Sequence, residues 1–114
     1  MKRMRSMLDT TITNNAEIDE IVKAILNAVP ALEIYLFGSY VKGIATEDSD
    51  YDFYVVIPDD SIRAIEATWK ITSSIPKQTR GIDMLVGTLS KFNKYKNVCS
   101  IEKEVSETGV RLYG

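Results

Sequence analysis

The sequence contains no histidine and only one cysteine among its 114 residues. Histidine is the commonest general base in enzymes and the commonest ligand of transition metals, so chemistry of either kind must use other side chains. The single cysteine, Cys99, cannot form a disulfide within the chain, and nothing in the sequence points to an oxidising compartment. We therefore expect a cytoplasmic location, with any catalysis carried out by carboxylates, hydroxyls and lysines.

The sequence also lacks a long hydrophobic run and an excess of positive charge. No stretch approaches the roughly 18 apolar residues of a membrane-spanning helix, and the basic start of the chain lacks the apolar run of a signal peptide. The net charge of -2 provides no bulk positive surface, so neither a membrane nor a nucleic acid is expected as a partner. With 45% hydrophobic residues, the chain is expected to form a single domain over residues 1–114, with a loosely ordered segment at 1–13.

Hydrophobic periodicity divides the chain into alternating helices and strands. Strand-like patterns occur at 32–37, 51–57, 82–86 and 110–113. Helical spacing of apolar residues occurs at 18–29, 62–69 and 98–105, whereas 89–95 is ambiguous. We assign the cap of the first helix to Asn14 and that of the second to Asp59, Asp60 or Ser61, and we expect Trp69 in the core. The order of elements predicts an α/β or α+β fold with a small mixed sheet of three to four strands flanked by helices.

Three aspartates lie at the predicted starts of two strands. Asp50 and Asp52 are two positions apart, so their side chains project from one face, about 6.6 Å apart along the strand. Asp83 joins this cluster if the third strand lies beside the second. At an effective dielectric of about 20, two carboxylates about 6 Å apart repel by roughly 3 kcal/mol, which favours a bound divalent cation. All-oxygen ligation favours Mg²⁺ or Mn²⁺, and a pair of such ions can stabilise both the attacking and the leaving oxygen of a phosphoryl displacement.

Gly38 and Ser39 interrupt the strand that precedes these aspartates. A glycine at a strand-to-helix turn lets backbone N–H groups approach a phosphate closely, and a serine hydroxyl can donate to a phosphate oxygen. Lys42, about a turn further on, can supply a positive charge to the same phosphates. The pattern predicts a turn that holds a nucleoside triphosphate while the carboxylates hold its metal ions.

The segments Leu36-Phe37-Gly38-Ser39 and Asp48-Ser49-Asp50-Tyr51-Asp52-Phe53 resemble the signature of the polymerase-β-like nucleotidyltransferase superfamily. The ten-residue spacer between Ser39 and Asp50 is similar to that of the minimal nucleotidyltransferases (MNT), the antitoxin partners of HEPN toxins. The resemblance covers residues 18–86. It implies that the glycine-serine turn binds the nucleotide phosphates, that the paired aspartates bind magnesium, and that Asp83 helps to activate the acceptor hydroxyl. Many members have an arginine soon after the serine, where this chain has Tyr40-Val41-Lys42.

The resemblance further implies transfer of a nucleoside monophosphate, AMP from ATP in the leading case, to a hydroxyl group, with pyrophosphate leaving. Because no second domain is apparent that would recognise a small acceptor, we expect the acceptor or its binding surface to come from another protein. The resemblance implies that this protein is a HEPN toxin and that the modified group is a tyrosine hydroxyl. The expected cofactor is magnesium, with two ions bound and manganese as an alternative.

Other interpretations of the same residues stay open. The chain could be an antitoxin that neutralises its toxin by occlusion alone, or it could modify a small molecule such as an aminoglycoside in a pocket built at the interface of a homo-oligomer. The turn and the aspartates could also have a purely structural role. A calcium-binding EF-hand loop starting at Asp48 is disfavoured, because its sixth and twelfth positions should be glycine and glutamate but are Phe53 and Asp59.

Overall fold

The computed structural model of the protein describes residues 16–46, 49–75, 81–98 and 100–114. The predicted helix cap at Asn14 and the expected loosely ordered segment 1–13 lie outside the described residues. In chain order the elements are α1 (Ala16–Ala28), β1 (Glu33–Phe37), α2 (Ser39–Lys42), β2 (Tyr51–Ile57), α3 (Ala64–Ser74), β3 (Ile82–Thr88), α4 (Leu89–Tyr95), α5 (Ile101–Thr108) and β4 (Val110–Tyr113). Within this part of the chain, no helix is long and apolar enough to cross a membrane.

The strands form one four-stranded mixed sheet in the order β3-β2-β1-β4. β1 is antiparallel to both β2 and β4, whereas β2 and β3 are parallel. A parallel pair needs a crossover connection, and α3 provides it. The predicted class, a small mixed sheet flanked by helices, is therefore confirmed.

The sheet carries an apolar core on each of its faces. The larger core lies between the sheet and the helices α1 and α3, and it includes the strand residues Ile34, Leu36, Phe53, Val55 and Ile57. On the other face, Phe92 of α4 and Val105 of α5 pack against Tyr35, Phe37, Tyr54 and Val56. Side chains alternate along a strand, so Asp52 belongs to this second face, beside α4 and α5.

Two predictions about α3 are wrong. Its N-cap is Arg63, which makes no side-chain capping hydrogen bond, and Asp59 instead accepts hydrogen bonds from the backbone N–H and the hydroxyl of Ser90. The helix buries Ala67, whereas Trp69 is 69% exposed. Positions two apart on a helix are about 200° apart around its axis, so the face that buries residue 67 turns residue 69 to solvent.

The segments after β3 settle an ambiguity in the sequence. Residues 89–95 form the helix α4, whose N-cap Thr88 accepts a hydrogen bond from the N–H of Lys91. The last helix begins at Ile101, after its cap Ser100, rather than at residue 98. The predicted final strand is confirmed as β4, at the edge of the sheet beside β1.

Candidate functional site

Residues from three strands meet at one end of the sheet. Asp52 is the register partner of Asp83 on β3 and of Phe37 on β1. Because Gly38 follows Phe37 directly, the glycine turn lies beside Asp52. The inferred pairing of the second and third strands is therefore observed, and it brings Gly38, Asp52 and Asp83 together. Ser39 is the first residue of α2, half-buried next to the turn.

Gly38 has a backbone conformation and a position that only glycine suits. Its φ of 81° and ψ of -154° lie in a region that other residues rarely occupy. A Cβ atom built there would contact the carboxyl group of Asp52, at 3.1 Å from its Cγ. The missing side chain thus makes room for the carboxyl group of Asp52.

Asp50 lies beside a second glycine, Gly81, which directly precedes β3. A Cβ atom at Gly81 would contact the carboxyl group of Asp50, at 3.0 Å from its Cγ. The Gly81 carbonyl also accepts a hydrogen bond of 3.0 Å from the N–H of Tyr51, which holds the start of β2 against the start of β3. The close approach of Asp50 to this end of β3 therefore depends on a glycine at position 81.

The carboxyl groups interact strongly with one another. The pKa of Asp52 is raised from 3.8 to about 6, mainly by burial and next by its hydrogen bond with Asp83. The negative charges of Asp83, Asp50 and Glu104 contribute to the same rise in pKa. Each cause disfavours the charged form of Asp52, so near and below pH 6 Asp52 holds a proton that it shares with Asp83 through their hydrogen bond.

The donor set suits a hard cation, although its side chains are not arranged around one. No group of three or more aspartate, glutamate or cysteine side chains in the described ranges is positioned to hold a metal ion. Asp52 and Asp83 are hydrogen-bonded to each other instead. A divalent cation would replace the shared proton and offset the repulsion between the carboxylates, and oxygen donors are those that Mg²⁺ and Mn²⁺ prefer.

Glu104 of α5 is a further carboxylate at this site, and it is not among the predicted site residues. Its Oε2 lies 3.2 Å from Nζ of Lys42, the predicted phosphate ligand. Lys42 follows the glycine turn on α2, and its backbone N–H donates a hydrogen bond of 3.1 Å to the Gly38 carbonyl. No sequence signal distinguishes Glu104 from other helical glutamates, because its place at the site depends on the packing of α5 against the sheet.

Asp50 and Asp83 are exposed at this end of the sheet, and Asp52 is half-buried. A cavity of about 210 Å³ on the same face lies elsewhere, lined in part by Glu33, Tyr35, Phe92, Lys96 and Arg111. Glu33 begins β1, whereas the glycine turn follows the end of that strand. None of the three aspartates lines this cavity.

Several solved structures are similar to the chain. One is a crystal structure of a toxin-antitoxin with AMP-PNP, at 25% identity and a TM-score of 0.59, covering 84% of this chain and 72% of that chain. A second is a mutant of the toxin-antitoxin MntA-HpeT, at 26% identity and a TM-score of 0.53, covering 84% of this chain and 71% of that chain. A third is a candidate nucleotidyltransferase from Sulfolobus solfataricus, at 19% identity and a TM-score of 0.58, covering 90% of this chain and 80% of that chain. At this identity the similarity supports the fold alone. No curated protein matches the chain. Residues 18–112 match the family described as the nucleotidyltransferase domain.

Proposed function

Because the chain belongs to the nucleotidyltransferase domain family, we propose that it transfers AMP from ATP to a hydroxyl group of a partner protein. The partner is a HEPN-type toxin, which this chain neutralises as an antitoxin. The observation that carries this proposal is the glycine turn lying directly beside the facing pair Asp52 and Asp83. Similarity to toxin-antitoxin structures, one of which contains AMP-PNP, supports the choice of partner and nucleotide.

Each site residue has a role in this reaction. The backbone N–H groups of the Gly38 turn and the hydroxyl of Ser39 bind the phosphates of ATP. Asp50, Asp52 and Asp83 would hold Mg²⁺, with two ions expected, and the metal would supply positive charge to neutralise the transferred phosphate and the leaving pyrophosphate. Manganese, which accepts the same oxygen ligands, is the alternative cation.

Asp83 also orients the acceptor hydroxyl and accepts its proton. The hydroxyl oxygen forms a bond to the α-phosphorus in line with the leaving group, and the bond between the α-phosphorus and the bridging oxygen to the β-phosphate breaks. Asp83 suits the role of proton acceptor because it is exposed at the start of β3, where an acceptor can reach it. Asp52, opposite it, is more buried.

Transfer of label from ATP tests this proposal. The protein is incubated with Mg²⁺, ATP labelled on its α-phosphate, and the protein encoded by its neighbouring gene. We expect label on the partner with the wild-type protein and with the control Asp60→Asn, which changes an exposed aspartate outside the site. We expect no label with the double variant Asp50→Ala/Asp52→Ala.

Two results would contradict the proposal. If the unlabelled double variant still neutralises the partner, occlusion without catalysis is the function. If label reaches a small hydroxylated acceptor such as an aminoglycoside but never the partner, the chain modifies small molecules.

A further inference from the structure

The ion pair between Lys42 and Glu104 joins two elements that are far apart in sequence. Lys42 ends α2, the short helix that follows the glycine turn, and Glu104 lies in α5. Their charged atoms are 3.2 Å apart, and the side chains are 48% and 34% exposed, respectively. The pair is accessible to solvent, so its partners can separate without burying an uncompensated charge.

Contacts of α5 fix the position of Glu104. The neighbouring acid Glu102 is only 4% exposed and accepts a hydrogen bond of 2.8 Å from the hydroxyl of Tyr54. Val105 is fully buried in the smaller core, and Ser100 caps the helix. Tyr54 is two positions after Asp52 and therefore on the same face of β2. These contacts hold Glu104 at the aspartate end of the sheet, where its negative charge acts on Asp52.

Glu104 forms an ion pair with Lys42, which is the one positively charged side chain that we assign to the phosphates. For Lys42 to bind a phosphate oxygen, its ammonium group has to leave the carboxylate of Glu104. That carboxylate also repels an incoming polyphosphate, because both are negatively charged. A carboxylate held in this position therefore opposes nucleotide binding in two ways.

We propose that Glu104 competes with the nucleotide phosphates for Lys42: it holds the ammonium group in the nucleotide-free protein and loses it when the metal–nucleotide complex binds. Glu104 thus lowers the affinity of the site for nucleotide. The inference rests on the proposed function, since it takes the phosphates to bind at the Gly38 turn. It deepens that function by naming the residue that sets nucleotide affinity.

A double-mutant cycle tests the competition. The dissociation constant of Mg-ATP is measured by titration calorimetry for the wild type, Glu104→Gln, Lys42→Gln and the double variant. An exposed ion pair shifts an equilibrium by about two- to fivefold, so we expect Glu104→Gln to tighten binding and Lys42→Gln to weaken it by about that factor. In the Lys42→Gln background, removal of Glu104 should have a smaller effect, because no ammonium group is left to release.

The control is Glu107→Gln, which removes an exposed acid from the same helix and should leave the affinity unchanged. Melting temperatures of all variants show whether each one is folded. Weaker binding by Glu104→Gln would overturn the proposal, since Glu104 would then position Lys42 or hold the metal ion. No change would overturn it too. Equal tightening with and without Lys42 would reduce the effect of Glu104 to simple repulsion and would also overturn it.

The binding assay separates this inference from the proposed function. If the double-mutant cycle shows the expected coupling but no label reaches any acceptor, the proposed competition for Lys42 is supported and the proposed transfer reaction is wrong. If label is transferred but the double-mutant cycle shows no coupling, only the proposal that Glu104 competes for Lys42 is wrong. If the wild-type protein does not bind Mg-ATP at all, both are wrong.

Discussion

Substitution of Gly38 by alanine tests the turn beside Asp52, and Gly43 provides a matched control. Both glycines have a positive φ, 81° at Gly38 and 78° at Gly43, which is unfavourable for alanine. The ψ of Gly43 is 16°, in the left-handed region, whereas that of Gly38 is -154°, in a region almost restricted to glycine. A Cβ atom at Gly43 would have nothing within 4 Å, whereas one at Gly38 would contact the Asp52 carboxyl group.

These differences set the expected magnitudes. Gly43→Ala should lower the free energy of unfolding by about 1 kcal/mol through backbone strain alone. Gly38→Ala should lower it by about 1–3 kcal/mol through strain, and the Asp52 carboxyl group must also move. Because Asp52 faces Asp83, that movement disturbs the carboxylate pair. We therefore expect only Gly38→Ala to weaken Mg-ATP binding, by at least about tenfold, or about 1.4 kcal/mol.

Urea unfolding measures the stability of both variants, and titration calorimetry measures their affinity for Mg-ATP. Wild-type stability in Gly38→Ala would refute the backbone conformation described for the turn. Equal loss of affinity in both variants would show that distortion of α2, rather than contact with Asp52, weakens binding. Wild-type affinity in Gly38→Ala would refute the role of the turn.

Three other predictions concern stability and exposure. Tyr54→Phe removes the hydrogen bond to the buried Glu102, so the free energy of unfolding, measured by urea denaturation, should fall by about 1–3 kcal/mol. Adding Glu102→Gln should restore part of this loss. An unchanged urea midpoint in Tyr54→Phe would contradict the buried contact. The pKa of Asp52 rises from 3.8 unfolded to about 6 folded, so its contribution to stability is complete below pH 3.8 and is lost as the pH rises through 6. As the pH rises from 4 to 7, the metal-free wild-type protein should therefore lose stability relative to Asp52→Asn. The loss is roughly 3 kcal/mol at most, and less after solvent screening. Parallel profiles of stability against pH for the two proteins would argue against the raised pKa of Asp52. Trp69, the single tryptophan, should show the red-shifted fluorescence of a solvated indole. Trp69→Gln should change the free energy of unfolding by less than about 0.5 kcal/mol. Blue-shifted emission would instead place the Trp69 side chain in a core.

Local patterns in the sequence were sufficient for the main strands. The run of aromatic and β-branched residues from Tyr51 to Ile57, interrupted only by Asp52, predicts β2 with the bounds observed, because a strand buried on both faces has few polar positions. The interruption at Gly38 predicts the end of β1, because glycine there adopts a conformation that no strand continues. In both cases the information is contained in a few neighbouring residues.

The prediction for Trp69 failed because size and hydrophobicity do not determine which side of a helix faces the core. Ile65 and Trp69 share one side of α3, and Ala67 and Ile71 share the opposite side. The side with Ala67 and Ile71 is the one buried in the larger core. That choice depends on the shape of the neighbouring elements, which the sequence of α3 does not contain.

By itself, the sequence determined the residue types and the local spacing of the site: a glycine-serine turn after one strand and two aspartates at the start of the next. The tertiary structure decided which distant residues join them. Parallel pairing of β2 and β3 places Asp83 opposite Asp52, and packing of α5 against the sheet brings Glu104 to Lys42. Strand register and helix packing follow from the burial of apolar side chains throughout the domain, so no local pattern around Asp83 or Glu104 could reveal these contacts.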